Sequence, residues 1–311
     1  MSGMRFALLG VLAFGGLSGC NFTAPDPRTD DTPTSGHVLI LVDEDCKAVL
    51  DQEALVFRNF YPKATLDIRY MNEAEMLKAM LNDSVRCVVT TVDPGGEQQA
   101  YLDKRQIDAP IVPIYKAGIA VIVNKNSPLK QFELRQIAAL LGKTDAVHIS
   151  TDIENSTALD SLTGIFAGAG SGVARLLVDS LHIGKLRARA LADVTDVVAQ
   201  VARDPKAVGF LPFEAISDLD NPAMRALRDQ VRILPIANGP GEKAVLPSQS
   251  TLADSSYPLK RTVNMLLTEG KSGLGTGFVS FVANHKGQRI ILKLGVAPIN
   301  VPPRNIQIVP Q

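Results

Sequence analysis

The sequence predicts an α/β protein built on mixed, mostly parallel sheets. Three observations lead there. Apolar runs of strand length alternate with amphipathic helical stretches through the first hundred residues, and such alternation requires a parallel sheet with helical crossovers. A second set of strand–helix units begins near residue 146. Between the two sets, strand-like stretches Ile111 to Tyr115 and Ala117 to Asn124 follow each other with no helix between them.

Taken in order, His37 to Val42 is a buried strand that ends in Asp43-Glu44-Asp45. A helix follows through Val49, Leu50, Leu55, Val56 and Phe60, and Tyr61-Pro62 stops it. Leu66 to Tyr70 is the second strand. Asn72 then caps a helix from Glu73 to Asn82, with Met76, Leu77, Met80 and Leu81 on one face. Val85 to Thr91 is the third strand, and Glu97 to Lys104 a short helix. Ligands of such sheets bind beyond the carboxyl ends of the strands. That rim makes Asp43, Glu44, Asn72, Thr91 and Asp93 candidate binding residues.

Gln131 to Leu141 is a helix ending at Gly142, and Ala146 to Ile149 a short strand. Asn155, Ser156 and Thr157 are N-cap residue types ahead of a helical run from Ala158 to about Phe166. A helix start leaves N–H groups unpaired, and with the helix dipole these form a seat for a small anion. Asn155, Ser156 and Thr157 therefore join the candidates. Gly168-Ala169-Gly170-Ser171-Gly172 is expected to be a loop. A dinucleotide reading fails because the loop follows a predicted helix and its glycine spacing is wrong. Val173 to His182 is helical and Arg187 to Leu191 a strand. Asp193 or Thr195 caps a helix to Arg203, and Ala207 to Phe213 is the next strand. Val231 to Ile236 is a strand and Pro247 to Leu252 an extended stretch. Gly273 to Ala283 and Gly287 to Gly295 are helices before an extended tail, Pro298 to Gln311.

Lys plus Arg and Asp plus Glu are 32 each, which argues against a nucleic-acid binder, normally marked by a basic stripe. The four histidines are scattered without zinc-ligand spacing, and Ser156 has no Gly-x-Ser-x-Gly elbow. The expectation is a non-enzyme without catalytic residues, metal or cofactor. Asp43-Glu44-Asp45 is expected to be a solvated loop rather than a cation site. Cys46 and Cys87 fall at opposite ends of neighbouring strands and are expected to be unpaired buried thiols.

Arg5 and the apolar run from Phe6 to Leu17 have the form of a secretory signal. The run ends in Leu17-Ser18-Gly19-Cys20, which resembles the lipobox of bacterial lipoproteins. The resemblance implies a signal over 1–19 and lipid on Cys20. With Asn21 next, it implies the outer membrane of a Gram-negative envelope. Residues 20–35 are polar and Pro-rich, and are expected to be a disordered tether.

A longer series resembles the phosphate-binding proteins of bacterial high-affinity phosphate ABC transporters, the PstS group. The matching stretches are Phe57 to Tyr61-Pro62, Ile119 to Asn124, Leu134 to Lys143, Asn155-Ser156-Thr157 against the family's Ser-Gly-Thr, and Ala207 to Phe210. Pro247-Ser248 through Tyr257-Pro258-Leu259 and Phe281 through Gly295 complete it. The resemblance implies a two-lobed periplasmic-binding-protein-like fold of type II. Lobe 1 would hold 36–120 with 210–300, and lobe 2 would hold 121–209, joined at two crossing segments. It implies a periplasmic protein that captures phosphate or a similar oxyanion between the lobes and hands it to an ABC permease. Asp93 matches the family's Asp after strand three. The chain departs from the pattern at Thr151 and Ile153, where the family often has Arg and Asp, and in its three carboxylates after strand one. Only Arg69 and Arg86 stand as replacements. The runner-up is a non-transport envelope lipoprotein on the same scaffold, binding another ligand or a partner protein.

Overall fold

The computed structural model describes residues 31–80, 85–91, 96–142, 161–269 and 272–301. The first elements are β1 (Gly36–Asp43), a 3-10 turn (Glu44–Cys46), α1 (Lys47–Phe60), β2 (Ala64–Met71), α2 (Glu73–Ala79), β3 (Cys87–Thr90) and α3 (Glu97–Lys104). β1 lies between β2 and β3, parallel to both. The two strand-like stretches after α3 form one strand, β4 (Ile111–Asn124). It is followed by β5 (Phe132–Glu133) and α4 (Leu134–Gly142), then beyond residue 160 by β6 (Thr163–Ala167), α5 (Gly172–Leu181), β7 (Arg189–Leu191), α6 (Val194–Arg203) and β8 (Ala207–Pro212). α7 (Pro222–Arg228), β9 (Val231–Ile233), β10 (Ile236–Ala237), α8 (Gln249–Ala253), β11 (Lys260–Leu267), α9 (Leu274–Ala283), α10 (His285–Lys293) and β12 (Ala297–Pro298) close the chain.

The main sheet runs β2-β1-β3-β11-β4-β8-β6-β7, with β9 and β12 also on β4. The fold is the two-lobed one expected, and β4 is the element that joins its halves. Its first residues pair antiparallel with β11, across an irregularity at Val263/Asn264, and its last pair antiparallel with β8. β6 then runs parallel to β8 and β7. A strand buried on both faces must be apolar throughout, and Ile119 to Val123 are fully buried. Polar partners fix its course: the Tyr257 hydroxyl donates to the Ile119 carbonyl (2.6 Å) and Gln288 Nε2 to the Ile114 carbonyl (2.9 Å).

Phe57 anchors α1 in the first lobe, edge-on to Phe278 and Phe281 of α9 at 5.2 and 5.3 Å between ring centroids. Cys46 and Cys87 are buried and unpaired, as expected, and burial pushes both thiols up.

Three expectations fail. The stretch expected to be helical up to Phe166 is β6 from Thr163 onward. Its apolar residues at 158, 159, 162, 165 and 166 mimic helical spacing. Gly164, however, lets Leu141 of α4 pack directly on the backbone, and the segment is held in a ladder parallel to β8. Pro247 to Leu252 is not extended. Ser248 and Thr251 form a capping box that starts α8. Nor is the end of the 20–35 stretch loose. Asp31 accepts the Leu274 N–H at the start of α9 (2.8 Å), and Thr32 pairs with Ser35.

Glu53 on α1 is fully buried, and neither carboxylate oxygen has a partner. Burial pushes its pKa up to about 9, so the folded protein holds it neutral. An acid whose folded pKa is raised contributes stability that is lost as pH rises from the unfolded value toward the folded one. Thermal or urea denaturation should show stability declining between pH 4.5 and 9, by up to about 1.4 kcal/mol per pH unit. Glu53→Gln should flatten that slope.

Candidate functional site

The carboxyl ends of β1 and β3 and the start of α2 face the carboxyl end of β6 across the molecule. β6 ends in Gly168-Ala169-Gly170, and Ser171 caps α5, its hydroxyl accepting the Ala174 N–H. The glycine loop therefore does follow a strand, contrary to the sequence expectation, and it opens a helix. Its three alternate glycines each face one residue of the first lobe's rim. A Cβ on Gly168 would stand 2.5 Å from Glu44 Oε1, and one on Gly170 2.8 Å from Asn72 Oδ1. One on Gly172 would stand 2.5 Å from Asp43 Oδ2. Glycine lets the backbone approach these side chains, and Gly168 also takes a positive φ of 66°.

The start of α5 already holds an anion. Asp45 Oδ2 accepts the Val173 N–H at 2.8 Å and lies 3.3 Å from Arg261 Nη1. Arg261, from β11, also donates through Nη2 to Glu214 Oε1 at 2.6 Å. Arg261, Asp45 and Glu214 are all buried. Burial raises the pKa of both acids, against the pull of Arg261. Asp43 is fully buried, and one of its oxygens accepts the Asp45 N–H (3.2 Å) while Oδ2 has no partner. Burial, and then the Asp45 charge, hold the Asp43 carboxyl well above the usual carboxylate range. Glu44 is raised by burial and by Asp45 and Glu75. The acidic run is thus not the solvated loop expected: Asp43 and Asp45 are built into the contact between the lobes.

A second ion pair crosses beside the first. Glu73, buried on α2, accepts from Arg175 Nε of α5 at 2.5 Å and from the Thr91 hydroxyl at 2.8 Å. Arg175 Nη2 also reaches Thr91 Oγ1 (3.3 Å). Outside this pair opens a cavity of about 410 Å³, lined by Ala74, Leu77, Phe166, Ser171 and Arg175 among others.

Of the candidates from sequence, Asp43, Glu44, Asn72 and Thr91 come together here. Asn72 caps α2 through the Glu75 N–H (3.0 Å). Asp93, Asn155, Ser156, Thr157 and Cys20, expected to carry lipid, lie outside the described residues, as do Thr151 and Ile153. Arg69 belongs to the surface, paired with Asp67, and Arg86 bonds the neighbouring Val85 carbonyl, away from the cleft. The guanidiniums at the site are Arg175 and Arg261, which sequence reasoning passed over. Ser171-Gly172 is a Ser-Gly helix start that sequence reasoning took for a loop. Reading 163–166 as a helix hid it, because the glycine loop then lacked its strand.

The chain belongs to the PBP superfamily: the profile of the PBP superfamily domain matches residues 27–286. No curated protein matches it. Among solved structures it is similar to a substrate-binding protein of Clostridium perfringens with bound phosphate, at 18% identity and TM-score 0.66, over 85% of this chain and 100% of that one. It is similar to an ABC-type phosphate transport receptor of Vibrio cholerae at 11% identity and TM-score 0.62, over 85% and 100%. PstS from Borrelia burgdorferi follows at 13% and 0.54, over 86% and 100%.

The glycine contacts give a direct test of the geometry. Gly172→Ala should cost about 1–3 kcal/mol in denaturation experiments, because the added Cβ would meet buried Asp43 at 2.5 Å with Arg261 and Asp45 at 3.2 and 3.3 Å. Gly184→Ala, whose added Cβ meets nothing within 4 Å, should leave stability unchanged.

Proposed function

We propose that this protein is an extracytoplasmic solute-binding protein, anchored by lipid on Cys20, that captures phosphate or a similar small oxyanion for ABC-type import. One observation carries the reading: a carboxylate sits on the Val173 N–H at the start of α5 with a guanidinium against the same oxygen. A helix-start N–H beside a guanidinium is chemistry suited to an oxyanion. The seat lies where the proposed lobes, 36–120 with 210–300 and 121–209, meet. The phosphate-associated proteins that share the fold support the choice of ligand. Titration calorimetry of the full chain in detergent should give saturable heat with inorganic phosphate. Absence of both heat and thermal shift at millimolar phosphate would sink the reading. Cys20→Ser should move the protein from the membrane to the soluble fraction.

A second reading has its own support. Asp43, Glu44, Asp45 and Glu73 bring four carboxylates to a cleft with two guanidiniums, which disfavours a dianion. With Asn21 after the lipidation site, this fits an outer-membrane lipoprotein without a transport role, using the scaffold for another ligand or a partner protein. Sucrose-gradient fractionation separates the two: residence in the inner membrane removes the support for the second.

A further inference from the structure

We propose that Asp45 is a tethered ligand of the α5 seat, so that capture of a solute anion is an exchange of an internal carboxylate for an external one. The inference rests on the anion-seat reading above and adds to it an internal competitor for the seat. Asp45 belongs to the turn after β1, in the first lobe, whereas Val173 lies 128 residues further on, in the second. Its carboxylate therefore does across the cleft what a bound oxyanion does: it accepts a helix-start N–H and meets a guanidinium.

Asp43 supplies an independent sign that the place is made for something more. Its Oδ2 is buried, faces the same Gly172 backbone and has no partner. A buried carboxyl oxygen without a partner costs free energy. Burial keeps it in its protonated form to higher pH, and a protonated carboxyl is a donor. An oxyanion that displaced Asp45 would take the Val173 N–H and Arg261 Nη1, and would also accept from Asp43. Glu214 remains on Arg261 through the exchange, because it uses the other terminal nitrogen. The Glu73–Arg175 pair stands alongside and is not consumed. A tethered competitor acts at an effective concentration of millimolar or more, and it weakens apparent affinity for a free ligand accordingly.

The test uses the full chain in detergent with two variants, Asp45→Ser, which withdraws the carboxylate, and Asp45→Asn, which keeps the shape without the charge. Arg261 keeps Glu214 in both, so a buried unpaired guanidinium is avoided. Hydrogen exchange of the peptide covering Ser171 to Arg175 reads the latch, and calorimetry with inorganic phosphate and with sulfate reads the seat. In phosphate-free buffer, Asp45→Ser should exchange at least about tenfold faster there than the unsubstituted chain. Millimolar phosphate should restore protection, and phosphate should bind at least about tenfold more tightly than to the unsubstituted chain. Asp45→Asn should shift both readouts in the same direction. Unchanged exchange together with equal phosphate affinity in all three proteins overturns the inference and leaves the anion reading standing. Faster exchange with no binding of either anion to any of the three overturns both the anion reading and the exchange.

Discussion

A guanidinium buried at the floor of the cleft governs this structure. Arg261 cannot shed its proton, so its charge must be answered where it lies. Two acids answer it, Asp45 from the turn after β1 and Glu214 from the turn after β8. A buried guanidinium left with no acid at all would cost about 3–5 kcal/mol, because its charge would be without compensation. Three segments far apart in the chain are thereby held at one point. Asp45 carries the tie onward to α5 through the Val173 N–H. One carboxylate oxygen thus meets both Arg261 and the start of α5.

The glycine loop is the other half of that contact. Gly168, Gly170 and Gly172 bring backbone close against the side chains of Glu44, Asn72 and Asp43. The close approach serves electrostatics as well as packing. The nearer the α5 start comes to the acidic turn, the less water remains to screen its N–H groups. β4 makes the approach reproducible, since one uninterrupted strand spans both halves of the sheet and is held by Tyr257 and Gln288.

Much of the architecture was legible from the residues. Strand–helix alternation located β1 to α3 within a residue or two for most elements, and Asn72 and Asp193 were recognisable as caps. The rim formed by Asp43, Glu44, Asn72 and Thr91 followed from the rule that ligands meet the carboxyl ends of parallel strands. The second lobe's part of the site was not legible. Thr163 to Phe166 carries apolar spacing that suits a helix, and only pairing with β7 and β8 makes it a strand. Once that strand was missed, Ser171-Gly172 looked like an ordinary break.

Local pattern therefore determined which segments form strands and helices in the first lobe, which thiols stay buried, and which polar residues crowd one rim. It determines these because side-chain periodicity and capping act over a few residues. The tertiary structure alone decided that Asp43 and Asp45 are buried, that Arg261 and Arg175 are the cations beside them, and that α5 offers its N–H groups to a carboxylate. Those facts join residues 45, 73, 172–175, 214 and 261. Contacts over such separations, and the buried charges that must be matched across them, leave no periodic trace in the chain.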